Sequence, residues 1–282
     1  MKTIHSITDL QSTLRQARAQ GKRISLVPTM GNLHEGHLQL VHQARACSDL
    51  VVSSVFVNPL QFGAGEDLDS YPRTLASDQE KLRGAGCDLL FAPTDEEVYP
   101  NGRDNQTEVE VPGLSDLYCG ASRPGHFRGV ATVVCKLFGI VQPDVAIFGE
   151  KDYQQLMVIQ RMTADLCLPV EIQGAPIVRN SDGLALSSRN GYLSEEQLAL
   201  APVLCQTLRD SAKQIKAGRR DYAQLEEEAQ RTLEETGFKR DLYRICNAQD
   251  LTTATEDSSQ LVILAGAHLG AARLIDNIEI DL

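Results

Sequence analysis

The chain has 282 residues, long for one domain, and its 42% hydrophobic and 23% charged content is ordinary for a globular protein that needs neither disulfides nor a structural metal. A net charge of −11 argues against a nucleic-acid partner, which wants a basic face, yet leaves room for a small anionic substrate held by a few local cations. Apolar runs such as Val130–Val134 and Leu261–Ala267 are too short to span a bilayer, the N-terminal MKTIHSITDL lacks the apolar stretch of a signal peptide, and seven scattered cysteines without a CxxC pair read as reduced thiols of a cytoplasmic protein.

In chain order, residues 8–20 form an amphipathic helix pattern that Gly21 ends, and Arg23–Pro28 reads as a buried strand. A turn of small residues leads into a helix from Gly36 to about Ser48, then Leu50–Val57 is a β-branched run of the kind buried in parallel sheets. Thr74–Gly84 is helical, Cys87–Ala92 a short strand, Gly129–Val141 a helix, Asp144–Phe148 a strand and Lys151–Leu166 a helix. Strands alternating with helices predict a doubly wound parallel sheet. Past Arg179 the pattern changes to two helices, Glu195–Lys216 and Asp221–Thr236, and three strands, Leu242–Asn247, Leu261–Ala267 and Ala272–Ile280. This reads as a smaller α+β domain, giving an α/β domain over residues 1–178 and a second domain over 179–282.

Three segments carry residues suited to chemistry. Pro28-Thr29-Met30-Gly31-Asn32-Leu33-His34-Glu35-Gly36-His37 lies where a strand gives way to a helix, at the carboxyl edge where parallel sheets bind ligands. His34 and His37 share one helical face if the helix begins early, and free N–H groups at a helix start suit phosphate. A structural role or a metal pair are the other readings of such histidines, but no nearby cysteine completes a zinc set and the pattern is not HExxH. Neither GxxxxGK[ST] nor GxGxxG occurs, so any nucleotide site is of another kind.

The second segment, Phe148-Gly149-Glu150-Lys151-Asp152-Tyr153-Gln154-Gln155, again follows a strand and opens a helix. Lys151 could put a point charge on a phosphate, and Gln155 lies one turn further on; Glu and Lys are also common helix caps. The third, Leu186-Ser187-Ser188-Arg189-Asn190, sets two hydroxyls and a guanidinium beside the domain boundary, where they could close over a triphosphate.

Together with FVNPLQF at 56–62, YPRT at 71–74 and SRPGHFRGV at 122–130, these segments resemble the pantothenate synthetase (pantoate–β-alanine ligase) family, within the nucleotidyltransferases that carry an HxGH signature. The likeness covers essentially the whole chain, and the Ser187–Arg189 segment resembles the mobile KMSKS loop of tRNA synthetases. It implies that the carboxylate of pantoate attacks the α-phosphorus of ATP and expels pyrophosphate, after which the amine of β-alanine attacks the acyl-adenylate. It implies an ATP site of Met30, Gly31, His34, His37, Gly149, Glu150, Lys151, Asp152, Val178, Leu186, Ser187, Ser188 and Arg189. Of these His37 would be the proton donor, and His34, Lys151 and Arg189 would also serve catalysis. Gln61, Gln155 and Asn58 would bind pantoate, Gln61 also β-alanine, and Asp78 would hold Mg²⁺. Leu75-Ala76-Ser77 precede Asp78 where the family helix often carries further acids. Arg123, His126 and Arg128 form a basic loop that could guard the cleft, and the family habit is a homodimer. Two other readings are an adenylyltransferase of the same superfamily that leaves the nucleotide on its product, and a nucleotide-sensing regulator without catalysis.

Overall fold

Ser6 starts the first helix: its hydroxyl accepts the N–H of Asp9, and Leu10, Leu14 and Ala17 form the buried stripe of α1 (Ile7–Ala19), which follows the short strand β1 (Lys2–Ile4). The structure is a computed structural model and describes residues 1–282. In chain order come β2 (Ile24–Thr29), α2 (Glu35–Cys47), β3 (Leu50–Val55), α3 (Leu75–Gly84), β4 (Leu89–Phe91), the short helices α4 (Asp95–Val98) and α5 (Cys119–Ser122), α6 (His126–Val141), β5 (Val145–Gly149), α7 (Tyr153–Asp165) and β6 (Glu171–Ala175). The chain goes on through α8 (Glu195–Leu200), α9 (Val203–Lys216), α10 (Tyr222–Glu235), β7 (Lys239–Asn247), β8 (Gln260–Leu269) and β9 (Ala272–Asp281).

Six strands form one parallel sheet in the order β1-β4-β3-β2-β5-β6. Because helices cover both faces, β2 and β3 are buried nearly end to end, from Ile24 paired with Leu50 to Thr29 paired with Val55. From β2 the chain winds outward through β3 and β4, then returns to the other side of β2 as β5 and β6. The strand order therefore reverses between β2 and β5, and the carboxyl ends at such a reversal are where open α/β sheets bind ligands. This is the doubly wound α/β fold that the alternating pattern predicts.

Contact within the chain groups residues into two units: Met1–Glu150 with Gln154–Pro176, and Lys151–Tyr153 with Ile177–Leu282. In the second, β7, β8 and β9 make an antiparallel sheet with β8 in the middle, and α9 and α10 pack on it. Its core includes Leu208, Ile215, Leu225, Ile263 and the fully buried Tyr243, whose hydroxyl donates to Ser211 Oγ at 2.9 Å. This is the smaller α+β unit that the sequence implies.

The differences from the sequence pattern have local causes. The helix expected over Glu195–Lys216 is two, because Pro202 brings no N–H and its ring crowds the preceding turn; α8 stops before it and α9 starts after it. The helix expected from Gly129 begins at His126, since Gly125, at φ 82°, supplies a left-handed cap. The strands β1 and β6 were not legible: one is three residues long, and the other, EIQGA, is a half-exposed edge with no apolar run. Gly129 itself lies where α6 touches the segment after β3, and a Cβ there would meet Leu60 O at 2.3 Å. Gly129→Ala is therefore expected to destabilise the fold by about 2–3 kcal/mol, an overpacking cost, measurable as a lower urea midpoint at unchanged m.

Candidate active site

The turn after β2 is built around backbone geometry that side chains elsewhere enforce. Thr29 Oγ1 donates to Ser54 O at 2.7 Å on the neighbouring strand and accepts the N–H of Gly31 at 3.2 Å. Gly31 has φ 83°, and a Cβ there would meet Val55 Cγ1 at 3.0 Å and Asp78 Oδ2 at 3.1 Å, so only glycine fits. Asp78, fully buried on α3, accepts the N–H of Asn32 at 3.0 Å and of Leu33 at 2.8 Å, and the Thr74 hydroxyl at 3.1 Å. One turn along the same helix, Lys81 Nζ donates to Leu33 O at 2.7 Å. The pair grips both polarities of the turn.

That grip delivers His34 to the N-cap of α2. His34 Nδ1 accepts the N–H of Gly36 at 3.1 Å, and His37 Nδ1 accepts the N–H of His34 at 3.3 Å, a reciprocal capping box made of two imidazoles. The ring centroids are 4.1 Å apart and tilted by 42°. A ring nitrogen that accepts carries no proton, so each neutral ring holds its hydrogen on Nε2. Two N–H donors thus stand side by side at the positive end of a helix, an arrangement matched to phosphate oxygens.

Beyond β3, Gln61 is 8% exposed and donates from Nε2 to Met30 Sδ at 3.2 Å, which joins it to the β2 turn. Asn58 does not fit the expected role of pantoate ligand. It is 1% exposed, and its amide is spent inside the protein: Nδ2 donates to Gln61 Oε1 at 3.0 Å and to Gly129 O at 3.1 Å, while Oδ1 accepts the Tyr99 hydroxyl at 2.6 Å. It orients Gln61. Burial pushes the Tyr99 phenol well above its ordinary pKa, so it stays a donor to Asn58. Arg123 pairs with Glu66 and donates to Gln61 O, and His126 Nδ1 meets the same carbonyl at 2.8 Å. These two members of the basic loop buttress Gln61, while Arg128 lies 3.5 Å from Glu108.

At the end of β5, Gly149 and Glu150 are half-buried, and Gly174 on β6 leaves space for Glu150, since a Cβ there would meet Glu150 Oε1 at 2.8 Å. Adjacent glutamines then part company. Gln154 is a buried clamp that donates to Leu114 O and Leu117 O, both at 2.8 Å, and accepts the N–H of Cys119. Gln155 is half-buried, and none of these contacts uses its amide.

The remaining expected residues belong to the second unit. Lys151 Nζ donates to Asp152 Oδ2 at 3.3 Å. Val178 O accepts the N–H of Leu186 at 2.9 Å, which closes a loop that Asn180 braces by accepting from Leu184 N at 2.9 Å. At its end Ser187 Oγ accepts the N–H of Arg189 and starts a short 3₁₀ turn over Ser188–Tyr192. Lys81 and Tyr99, which the sequence did not single out, and Thr74, named there only within YPRT, all act by holding other residues. Only the three-residue spacing of Asp78 and Lys81 on a helix hinted at a shared task.

Asp78, expected to hold Mg²⁺, is engaged inside the protein. A Mg²⁺ ligand offers carboxylate oxygens to the ion and its waters, whereas both Asp78 oxygens are shut from solvent and already hold three donors. No group of three His, Cys, Asp or Glu residues is placed to hold a metal ion. Asp78→Asn turns an acceptor into a donor facing backbone N–H groups. It is expected to cost about 2–3 kcal/mol of stability and to slow adenylation, while leaving the Mg²⁺ concentration at half-maximal rate unchanged. A raised Mg²⁺ requirement at unchanged melting temperature would instead mark a metal ligand.

A family model described as Pantoate-beta-alanine ligase matches residues 2–279. The pantothenate synthetase of Pseudomonas fluorescens is 60% identical over 282 residues, covering 100% of this chain and 99% of its own. That of Marinobacter nauticus is 58% identical over 280 residues, covering 99% of each chain. The crystal structure of pantothenate synthetase from Thermus thermophilus superposes with a TM-score of 0.93 at 46% identity, covering 100% of both chains. The pantoate-beta-alanine ligase of Francisella tularensis, solved in complex with Beta-gamma ATP and Beta-alanine, matches at a TM-score of 0.82 and 33% identity, over 99% of this chain and 97% of that one. The chain belongs to the pantoate–β-alanine ligase family.

Proposed function

We propose that the chain joins pantoate to β-alanine with ATP, through a pantoyl-adenylate, releasing pyrophosphate and then AMP. The observation that carries the site assignment is the imidazole pair: both Nδ1 atoms accept backbone N–H groups at the start of α2, which leaves Nε2 of each neutral ring as its donor, at the strand-order reversal. In the first step a pantoate carboxylate oxygen attacks the α-phosphorus. The bond to the bridging oxygen breaks, and that oxygen leaves on pyrophosphate with the developing charge. His37 donates to it, with His34, Lys151, Ser187, Ser188 and Arg189 on the phosphate oxygens; pre-positioned donors of this kind lower such a barrier. Met30, Gly31, Gly149, Glu150, Asp152, Val178 and Leu186 line the nucleotide. In the second step the amine of β-alanine attacks the acyl carbon, AMP departs and the new amide nitrogen loses a proton.

Gln61 and Gln155 recognise pantoate, whose hydroxyls need partners that both donate and accept, and Gln61 also meets β-alanine. Mg²⁺ comes with ATP as its counter-ion and keeps its waters; the commitment of Asp78 to three donors supports that over a protein carboxylate site. The protein works in the cytoplasm, without nucleic acid or membrane, a reading that rests on the net charge of −11 and seven free thiols. Family likeness alone supports a homodimer, which sedimentation tests.

Enzyme given ATP, Mg²⁺ and pantoate is expected to exchange labelled pyrophosphate into ATP without β-alanine, and not to do so without pantoate. Exchange that needs no carboxylic acid would overturn the ligase reading. His37→Ala should slow this exchange ~100-fold or more while changing ATP affinity little. Gln155→Ala should raise the pantoate concentration at half-maximal rate about tenfold and spare ATP, as expected when a buried hydroxyl loses its partner. Amide hydrogen exchange across residues 180–192 should slow at saturating ATP if the Ser187–Arg189 loop folds over the phosphates.

A further inference from the structure

Two buried polar residues lie side by side near the end of the chain, on β9: Asp276 is 4% exposed and Asn277 5%. Successive side chains on a strand point to opposite faces, so the two address different surroundings. Asn277 Nδ2 donates to the main-chain carbonyl of Lys151 at 3.0 Å. On the same side of the strand, two residues on, Glu279 Oε1 accepts the Tyr153 hydroxyl at 2.7 Å. The segment Lys151–Tyr153 is thereby pinned to β9 at both of its ends.

Asp276 takes the other face. Its two carboxylate oxygens receive Arg179 in a fork, Nη2 to Oδ1 at 2.7 Å, and Oδ1 also accepts the N–H of Asn277 at 2.8 Å. Arg179 Nη1 donates onward to Gly183 O at 3.1 Å, where the Gly183–Leu193 segment begins. Burial works against the Arg179 charge, but the Asp276 carboxylate outweighs it and raises the Arg179 pKa. An unpaired buried polar group costs far more than a paired one gains, so such a cluster is kept intact.

We propose that Asp276 and Asn277 are positioning residues for adenylation: one step of β9 holds the backbone of Lys151 on one face and the base of the Ser187–Arg189 loop on the other, fixing the two sets of phosphate donors relative to each other. Neither residue touches substrate. The proposal rests on the assignment of Lys151 and Arg189 to the phosphates of ATP. Its energetic content is geometric, since a displaced catalytic group costs rate steeply while leaving the fold in place.

The test is a double-mutant cycle read by pantoate-dependent pyrophosphate exchange. Asn277→Ala and the volume-keeping Asn277→Leu are expected to slow exchange ~10- to 100-fold in wild-type background. In a Lys151→Ala background the same changes should alter the rate less than about threefold, because the group they position is gone. Tyr153→Phe, a conservative change that loosens the same segment, should show the same pattern at smaller amplitude and serves if the Asn277 variants do not fold. Arg179→Lys, which keeps the charge but loses the fork, should likewise slow exchange, and its effect should vanish beside Arg189→Ala. Losses that multiply in the double variants would overturn the positioning role while leaving Lys151 and Arg189 as phosphate donors. Wild-type exchange in Lys151→Ala alone would overturn the assignment of Lys151 itself, and the Asn277 arm with it.

Discussion

A carboxylate buried beneath a turn governs the sheet-edge part of the candidate site. Asp78 has no access to solvent and satisfies the amides of Asn32 and Leu33, which an α/β turn would otherwise leave unpaired. Through them it sets the direction in which the chain enters α2, and hence where both imidazoles stand. Gly31 is the complementary constraint, a residue with no side chain at the point where α3 and β3 close on the turn. A change on either side of this contact moves His34 and His37 together, because the capping box ties one to the other.

The fold was legible where the physics is local. Leu50–Val55 declares a doubly buried strand by its β-branched run, and Leu10, Leu14 and Ala17 declare a helix by their spacing. What sequence pattern could not supply was partnership. Asn58 and Gln61 are the same chemistry three residues apart, yet one amide is consumed by Tyr99, Gly129 and Gln61 while the other stands at the turn after β2. Gln154 and Gln155 are adjacent and identical, and only the docking of the Leu114–Cys119 segment separates clamp from candidate ligand. The engagement of Asp78 was hidden for the same reason: its three donors lie 4 to 46 residues away in sequence.

Much of this chain's polar interior therefore serves to place other polar groups. Asn58 and the His126 ring place Gln61, Asp78 and Lys81 place the histidines, and the Asp276–Asn277 step takes the same part in the second unit. Each supporting contact ends on a backbone carbonyl or amide at least as often as on a side chain. The supported positions are thus held by the main chain as well as by the identity of their own residues, which lets a precise site sit on turns.

The segment Phe148–Gln155 reads as one motif but is divided: Lys151–Tyr153 groups with the second unit while Gly149, Glu150 and Gln154 group with the first. A chain cut at Pro176 would not yield two self-sufficient pieces. The carboxyl-terminal fragment would lose the Lys151 carbonyl that accepts from Asn277 and the Tyr153 hydroxyl that donates to Glu279. Transplantation of the second unit into a relative has to carry the Lys151–Tyr153 tripeptide across as well, and a single crossover does that only by bringing Gln154–Pro176 of the first unit with it.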